Sequence, residues 1–287
     1  MNLNILVSLH IKEGFQIAKD KEQVIFNELK DHVVTFRCDN EVAYFTNLGD
    51  IHWGLCNKEL FEKTFKYLMS IPNMYVGIGG DAGNGATRLS KSDPQEEWSV
   101  GDKQVYELAD IIKPYADRVL YIIDGNHQSG RLKHCVYFTP ELMLATLIGK
   151  PEIYKREFCF LYFNVGKNCF VHFVQHMSPK KEGVWDWINA DVTWREHHHQ
   201  RYAKERVVIE HNKFEKIPVP KICYEVWSGT FQVYPAYAKE RGFRVGIPGC
   251  YICEMRKNAK KKDLFLWTDD EFKHIMVLNN NFTINNI

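Results

Sequence analysis

Through the first half of the chain, short apolar runs alternate with segments whose apolar residues recur at helical spacing, a pattern that predicts a mixed α/β fold. Glu41 to Asn47 (EVAYFTN), Met74 to Ile78 and Val119 to Ile123 read as strands. Between the first two, Leu60, Phe61, Phe65 and Leu68 follow helical spacing behind Asn57, whose side chain can cap a helix. Val105, Leu108, Ile111 and Ile112 mark a second helix, stopped by Pro114. Thr139 and Pro140 open a third, as N-cap and first-turn proline.

The second half is richer in strands. Phe158 to Asn164 and Cys169 to Gln175 flank Val165-Gly166-Lys167-Asn168, which predicts a hairpin. Ala190 to Trp194, Arg206 to Glu210, Cys223 to Trp227, Tyr251 to Met255 and Leu264 to Trp267 are further strand candidates. Gly83 to Asp102 reads as a long surface loop, and the Lys260 to Lys262 run as an exposed turn between strands. Without repeats or linkers the expected organisation is a single domain over residues 41–287. Residues 1–40 are an N-terminal embellishment.

Composition changes this picture little. A chain of 287 residues can bury a sizeable core unaided, and 45% hydrophobic with 25% charged residues is ordinary for a globular protein. Lys plus Arg (37) nearly cancels Asp plus Glu (36), so net charge gives no global attraction to nucleic acid or membrane. No run is long and apolar enough for a membrane helix, and the N-terminus lacks a signal-peptide pattern. Cys250 and Cys253 form a lone CxxC after Pro248-Gly249, read as buried strand thiols rather than a zinc site. The expected compartment is reducing and cytoplasmic.

The informative feature is where polar residues fall. Three successive strands each end in a glycine-containing loop bearing candidate metal ligands: Asp50 and His52, then Asp81, then Asn126 and His127. Such strand ends are where α/β folds gather their sites. His176 closes the strand FVHFVQH, and His197 and His199 follow another strand. Asp-x-His and His-x-His spacing lets alternate side chains project to one side of an extended segment. A single zinc needs three or four protein ligands. Two Asp, one Asn and four His, with one further His to spare, make a set of seven that suits two adjacent divalent ions bridged by a carboxylate. Imidazole with carboxylate and amide oxygen favours Mn, Fe or Zn.

These motifs, GDIHWG, GGDAGN, DGNHQ, the strand-ending His and EHHH, resemble in order and spacing those of the calcineurin-like metallophosphoesterases. The resemblance spans about Gly49 to His199 and implies an α/β fold in which a β-sandwich is flanked by helices in four αββα layers. It implies one metal on Asp50, His52 and His199, a second on Asn126, His176 and His197, and Asp81 bridging them. His127 would protonate the leaving oxygen or stabilise the transition state, with a hydroxide held between the two ions, most readily Mn, as nucleophile. The segment WSGTFQVYPAYAKERGF resembles a phage and prophage branch with nuclease-like members, which points to nucleic acid or nucleotides as substrate and, for a viral chain, to the host cytoplasm. A homo-oligomer is compatible with this reading.

The serine/threonine phosphatase branch carries Gly-Asp-x-x-Asp-Arg-Gly, whereas this chain has GDAGNGA, so a phosphodiester is favoured over a phosphomonoester. Three positions depart from the family pattern: Gln128 for an acidic residue, and Met177 and Glu196 for glycines. They motivate a competing reading as a non-catalytic binding module. Asn84 and Arg131 are candidate substrate contacts, with loop anchoring and solvation as their ordinary alternatives. Trp185 and Trp187 could flank the site or simply pack. His172, four residues before His176, reads as a core histidine on the same face, within reach of a supporting role at the site.

Overall fold

The apolar runs read as strands do pair side by side, and their order places the polar strand ends together. The structure, a computed structural model, describes residues 19, 21–24, 27–87, 90, 92–127, 139–176, 188–212, 216–257 and 262–284, without the side chains of 211–212 and 278–284. Gln128, Arg131, Met177, Trp185, Trp187, Lys260 and Lys261 therefore lie outside the described residues. The chain forms two compact units, Met1–Val33 and Val34–Ile287. In the first, residues 21–24 and 27–30 are helical. The second carries the sheets.

In chain order the strands are β1 (Val33–Cys38), β2 (Val42–Leu48), β3 (Met74–Ile78), β4 (Val119–Ile123), β5 (Tyr154–Lys155) and β6 (Phe158–Val165). They continue as β7 (Asn168–Gln175), β8 (Val192–Arg195), β9 (Arg201–Asn212), β10 (Ile217–Ser228), β11 (Tyr251–Arg256) and β12 (Asp263–Thr268). One six-stranded sheet runs β1-β6-β7-β8-β10-β9, and the other β12-β11-β2-β3-β4-β5. Strands β2 to β5 are parallel, as are β7, β8 and β10. The loops after β2, β3, β4, β7 and β8 carry the candidate ligands.

The helices are α1 (Lys58–Ser70), α2 (Lys103–Ile112), α3 (Pro140–Leu147), α4 (Ala236–Glu240) and α5 (Asp269–Ile284). Asn57 caps α1 as expected, its side chain accepting from Leu60 N at 3.1 Å. Thr139 stands at the N-cap of α3 but makes no side-chain cap bond there. Pro114 ends α2, which tightens into a 3₁₀ segment over Lys113–Arg118. The predicted hairpin forms, with Val165 opposite Asn168.

Two cores follow from side-chain alternation. Phe61, Phe65, Leu108 and Ile112 of the helices pack with Val76, Ile78 and Ile122 on one face of the second sheet. Phe45, Tyr121, Phe163, Val174 and Trp194 fill the space between the sheets. This is an α/β sandwich of two sheets flanked by helices. On the outer face of the first sheet, Phe173 packs with Ile188 and Ala190. Cys250 belongs to the helix-side core and Cys253 to the inter-sheet core, and both are free. Both are buried thiols as expected, Cys253 on β11 and Cys250 one residue before it. Among the described residues, no helix is long and apolar enough to cross a membrane.

Candidate metal centre

A loop that must aim a short side chain back over its own strand needs an unusual backbone, and this chain concentrates such residues at one place. Among the described residues, seven non-glycine positions have positive φ. Five are candidate ligands: Asp50, His52, Asp81, His197 and His199. Asp and His tolerate the left-handed region better than most residues, and clustered strain of this kind marks sites. Glu196 is not among the seven. Glu196 uses an ordinary backbone, and His197 and His199 after it take the left-handed turns.

All seven candidate ligands converge, from the ends of five strands. Asp50, His52 and His199 offer three donor atoms within 4.8 Å of one another. The Asp50 Oδ1 lies 3.6 Å from His52 Nε2 and 3.5 Å from His199 Nε2, and the two imidazole nitrogens are 3.1 Å apart. Asp81, His176 and His197 make a second such group. Asn126 joins it, its Oδ1 being 3.0 Å from His176 Nε2 and 2.8 Å from His197 Nδ1. Asp81 Oδ2 approaches His176 Nε2 at 3.1 Å, and Asp81 also groups with His52 and His127.

Neighbouring backbone groups orient these side chains. His176 Nδ1 donates to the Gly79 carbonyl (3.1 Å), which turns its Nε2 towards Asp81 and Asn126. Asp50 Oδ2 accepts from His197 N at 2.7 Å, and Asp81 Oδ1 from His127 N at 2.8 Å. Gly125 is required for the latter approach, because a Cβ there would stand 2.0 Å from Asp81 Oδ1. His127 Nδ1 donates to the Asn84 carbonyl at 3.0 Å, leaving its Nε2 3.8 Å from Asp81 Oδ2.

The electrostatics ask for positive charge. Asp50, His52, Asp81 and His176 are all but fully buried. Burial alone would raise the Asp50 and Asp81 carboxyls. The surrounding histidines, His199 and His52 at Asp50 and His127 and His176 at Asp81, instead hold both below the usual range. Burial opposes the charged form of His176, yet the facing Asp81 and Asp50 carry it up to about 10. Burial lowers His52 and His197. The fit to a cation is direct: Asp50 Oδ1 is buried without a hydrogen-bond partner, an acceptor that a metal ion would satisfy. The mixed imidazole, carboxylate and amide donors suit Mn, Fe or Zn.

Other expectations resolve differently. The Asn84 side chain is fully buried, donating to Glu97 Oε1 (2.6 Å) and accepting from Gln232 Nε2 (3.3 Å), so it anchors the 83–102 loop. His172 has no supporting role at the site. Its Nδ1 accepts from Trp194 Nε1 (3.2 Å) and its Nε2 meets Met255 Sδ (3.4 Å) in the inter-sheet core. His198 is exposed beside the site, and Lys262 pairs with Asp191 at 3.0 Å.

The sequence motifs do not reveal the group behind Asp50. Glu196 is 1% exposed, accepts from Asn47 Nδ2 and from Ser228 Oγ (2.7 Å), and packs against Gly49, where no Cβ would fit. Tyr121 donates to Asn47 Oδ1 at 2.8 Å and completes the chain. Burial, with Asp50 nearby, pushes the Glu196 carboxyl well above the usual carboxylate range. Both effects favour its protonated form.

No family model and no curated protein matches the chain. Solved structures similar to it include Vps29 complexed with zinc from Entamoeba histolytica, at 12% identity and a TM-score of 0.38, covering 78% of this chain and 98% of that one. Vacuolar Protein Sorting 29 from Cryptosporidium parvum is 15% identical with a TM-score of 0.41, covering 80% and 98%. A protein serine/threonine phosphatase from Saccharomyces cerevisiae is 11% identical with a TM-score of 0.36, covering 83% of each.

Proposed function

We propose that the chain is a metal-dependent phosphodiesterase that holds two divalent cations, most readily Mn, and acts on nucleic acid or nucleotides. The observation that carries this reading is the convergence of seven oxygen and imidazole donors from five strand ends around the unpartnered Asp50 Oδ1. Asp50, His52 and His199 would hold one ion and Asn126, His176 and His197 the other, with Asp81 between them. When bound, such ions neutralise phosphate charge and make water acidic enough to ionise near neutral pH.

The protein's own groups do the rest. His127, tethered through Nδ1 to Asn84, presents Nε2 beside Asp81. In its charged form it carries the proton for the departing oxygen at that atom. Asp81 and Asp50 use their second oxygens on backbone N–H groups, which fixes both carboxylates for ligation. Glu196, at the position that motivated a binding-module reading, turns away from the donors and leaves all seven in place. Six of the seven described cysteines are buried, and the setting proposed for the chain is a reducing, cytoplasmic one.

The test is metal analysis of purified protein combined with Mn-dependent hydrolysis of bis-p-nitrophenyl phosphate and p-nitrophenyl phosphate. About two ions per chain with faster bis-ester turnover is expected. A faster mono-ester would make it a phosphomonoesterase. No metal and no turnover after Mn loading would leave only a binding module.

A further inference from the structure

The segment Ser228 to Gly246 has no part in the donor set, yet it forms one wall of a cavity that opens on it. The cavity has a volume of about 650 Å³ and is lined at one end by His127, His197 and His199. Sites that enclose small ligands span roughly 300–1,000 Å³. Whatever fills this one lies against the side chains that would meet the reacting phosphate.

A cross-strand row forms the other wall. Arg195 of β8 pairs with Trp227 of β10, and Trp227 with Tyr202 of β9, so the three side chains share one face of the sheet. Their neighbours Trp194 and Val226 point into the inter-sheet core, which puts the row on the outer face. The Trp227 and Tyr202 rings stack with centroids 4.0 Å apart and 13° from parallel. The Arg195 guanidinium lies 5.2 Å from the Trp227 ring. The Ser228–Gly246 segment adds Tyr234 and Phe243, with Arg244 beside them. Tyr202 is 44% and Phe243 54% exposed, large rings left open to solvent at the cavity.

Two further observations narrow the ligand. Arg195 is buried and faces Glu225 at 3.5 Å, so its charge is balanced within the wall. Arg244, in contrast, is exposed at the cavity, and no Asp or Glu stands among the described lining residues; the cavity therefore favours an anion joined to a flat apolar group. Its wall is also tied to the donor loops: Thr230 Oγ1 donates to the Asp50 carbonyl (2.9 Å) and Ile247 N to the His199 carbonyl (3.1 Å). A ring held here is thus in fixed relation to the proposed metal site.

We infer that the cavity is a nucleoside subsite, in which the base of a nucleotide stacks on the exposed Tyr202 ring, backed by Trp227, while the exposed Arg244 supplies positive charge for its phosphate. A cavity of this size encloses one terminal nucleoside rather than an extended strand. The inference rests on the phosphodiesterase reading for the reaction, but binding can be measured without turnover.

The experiment is calorimetric titration of the full chain with adenosine 5′-monophosphate, phenyl phosphate and inorganic phosphate, with saturating Mn and again after chelation. The expected order is nucleotide tightest and inorganic phosphate weakest under both conditions. Tyr202→Ala should weaken nucleotide binding about tenfold, as loss of a stacking ring does, while Tyr202→Phe retains it. Phe243→Ala, at an exposed position, gives the same readout should Tyr202→Ala fail to fold. Phenyl phosphate binding as tightly as the nucleotide would overturn the nucleoside assignment in favour of a general aryl ester. Equal binding of inorganic phosphate, or no nucleotide binding, would overturn the subsite altogether. Nucleotide binding as expected without hydrolysis of any ester would uphold the subsite and remove the catalytic reading.

Discussion

His172 and His176 stand four residues apart, on and just beyond one strand, and each is 1% exposed. Their surroundings drive them in opposite directions. His172 sits among Phe45, Trp194 and Met255, and burial pulls it down to about 4, where it stays neutral. At His176 burial acts the same way, but Asp81 and Asp50 overcome it and carry the group to about 10. Burial therefore does not distinguish a core histidine from a ligand. The partners do: an indole N–H and a thioether at one position, two carboxylates and an amide oxygen at the other. The inter-sheet core tolerates a polar ring by satisfying it, whereas the strand ends collect groups that satisfy one another only with an added cation.

The comparison breaks most severely at Asp81, which groups with donors on both sides. Asp81→Asn removes a charge that faces His176, His127 and His52. Bis-ester turnover is expected to fall to background, with elemental analysis showing fewer than two ions per chain. Two retained ions would show that the bridge has been placed on the wrong residue. Next in size is His127→Ala. Turnover should fall by about 10²–10⁴-fold, the range for a lost general acid, with metal content unchanged. Metal loss in that variant would recast His127 as a ligand.

His172 sharpens the other side. Its folded value is depressed from 6.5 to about 4, so the unfolded chain binds more protons between those pH values. The stability this neutral ring contributes is complete above about 6.5 and is lost as pH falls towards 4. At 1.36 kcal/mol per unit, the loss amounts to about 3 kcal/mol. His172→Gln cannot titrate but can still accept from Trp194. Denaturant unfolding at pH 7 and pH 4 should show the wild type losing about 3 kcal/mol relative to it. Parallel pH profiles would mean that His172 is protonated or solvated in the fold.

Much of the site was legible because its signal is local. A strand that ends in Gly-Asp or Gly-Asn-His announces both the turn and the donor within a few residues, and alternation in DIH and HHH separates the two outer histidines from His198. Ten of the twelve described strands were legible as apolar runs, though β9 and β10 extend well past Arg206 to Glu210 and Cys223 to Trp227, and the edge strands β1 and β5 went unread. What escaped depends on distant partners. Asn84 looked available until Glu97 and Gln232 took its amide. The aromatic cavity joins Tyr202 and Trp227, which are adjacent only through strand register. Helix α5 went unread, its apolar residues being weakly periodic.

Glu196 is the position where sequence comparison and structure differ most in what they suggest, and it carries the smallest expected effect. As a departure from glycine it looked able to disturb the His-x-His turn. In the fold it is a buried acid linked across 149 positions to Asn47, filling the space that Gly49 leaves. Burial, aided by Asp50, favours its protonated form, so the influence expected of it on the site is through packing and hydrogen bonds rather than charge. Glu196→Gln has nearly the same shape and keeps an oxygen to accept from Asn47 and Ser228. Metal content should stay at the wild-type value. Turnover should fall by well under the roughly tenfold that loss of an outer partner of a metal ligand brings. A tenfold or larger loss would show that Glu196 is ionised beside Asp50 and acts on the cations directly, which would move it from the core side of the comparison to the side of His176.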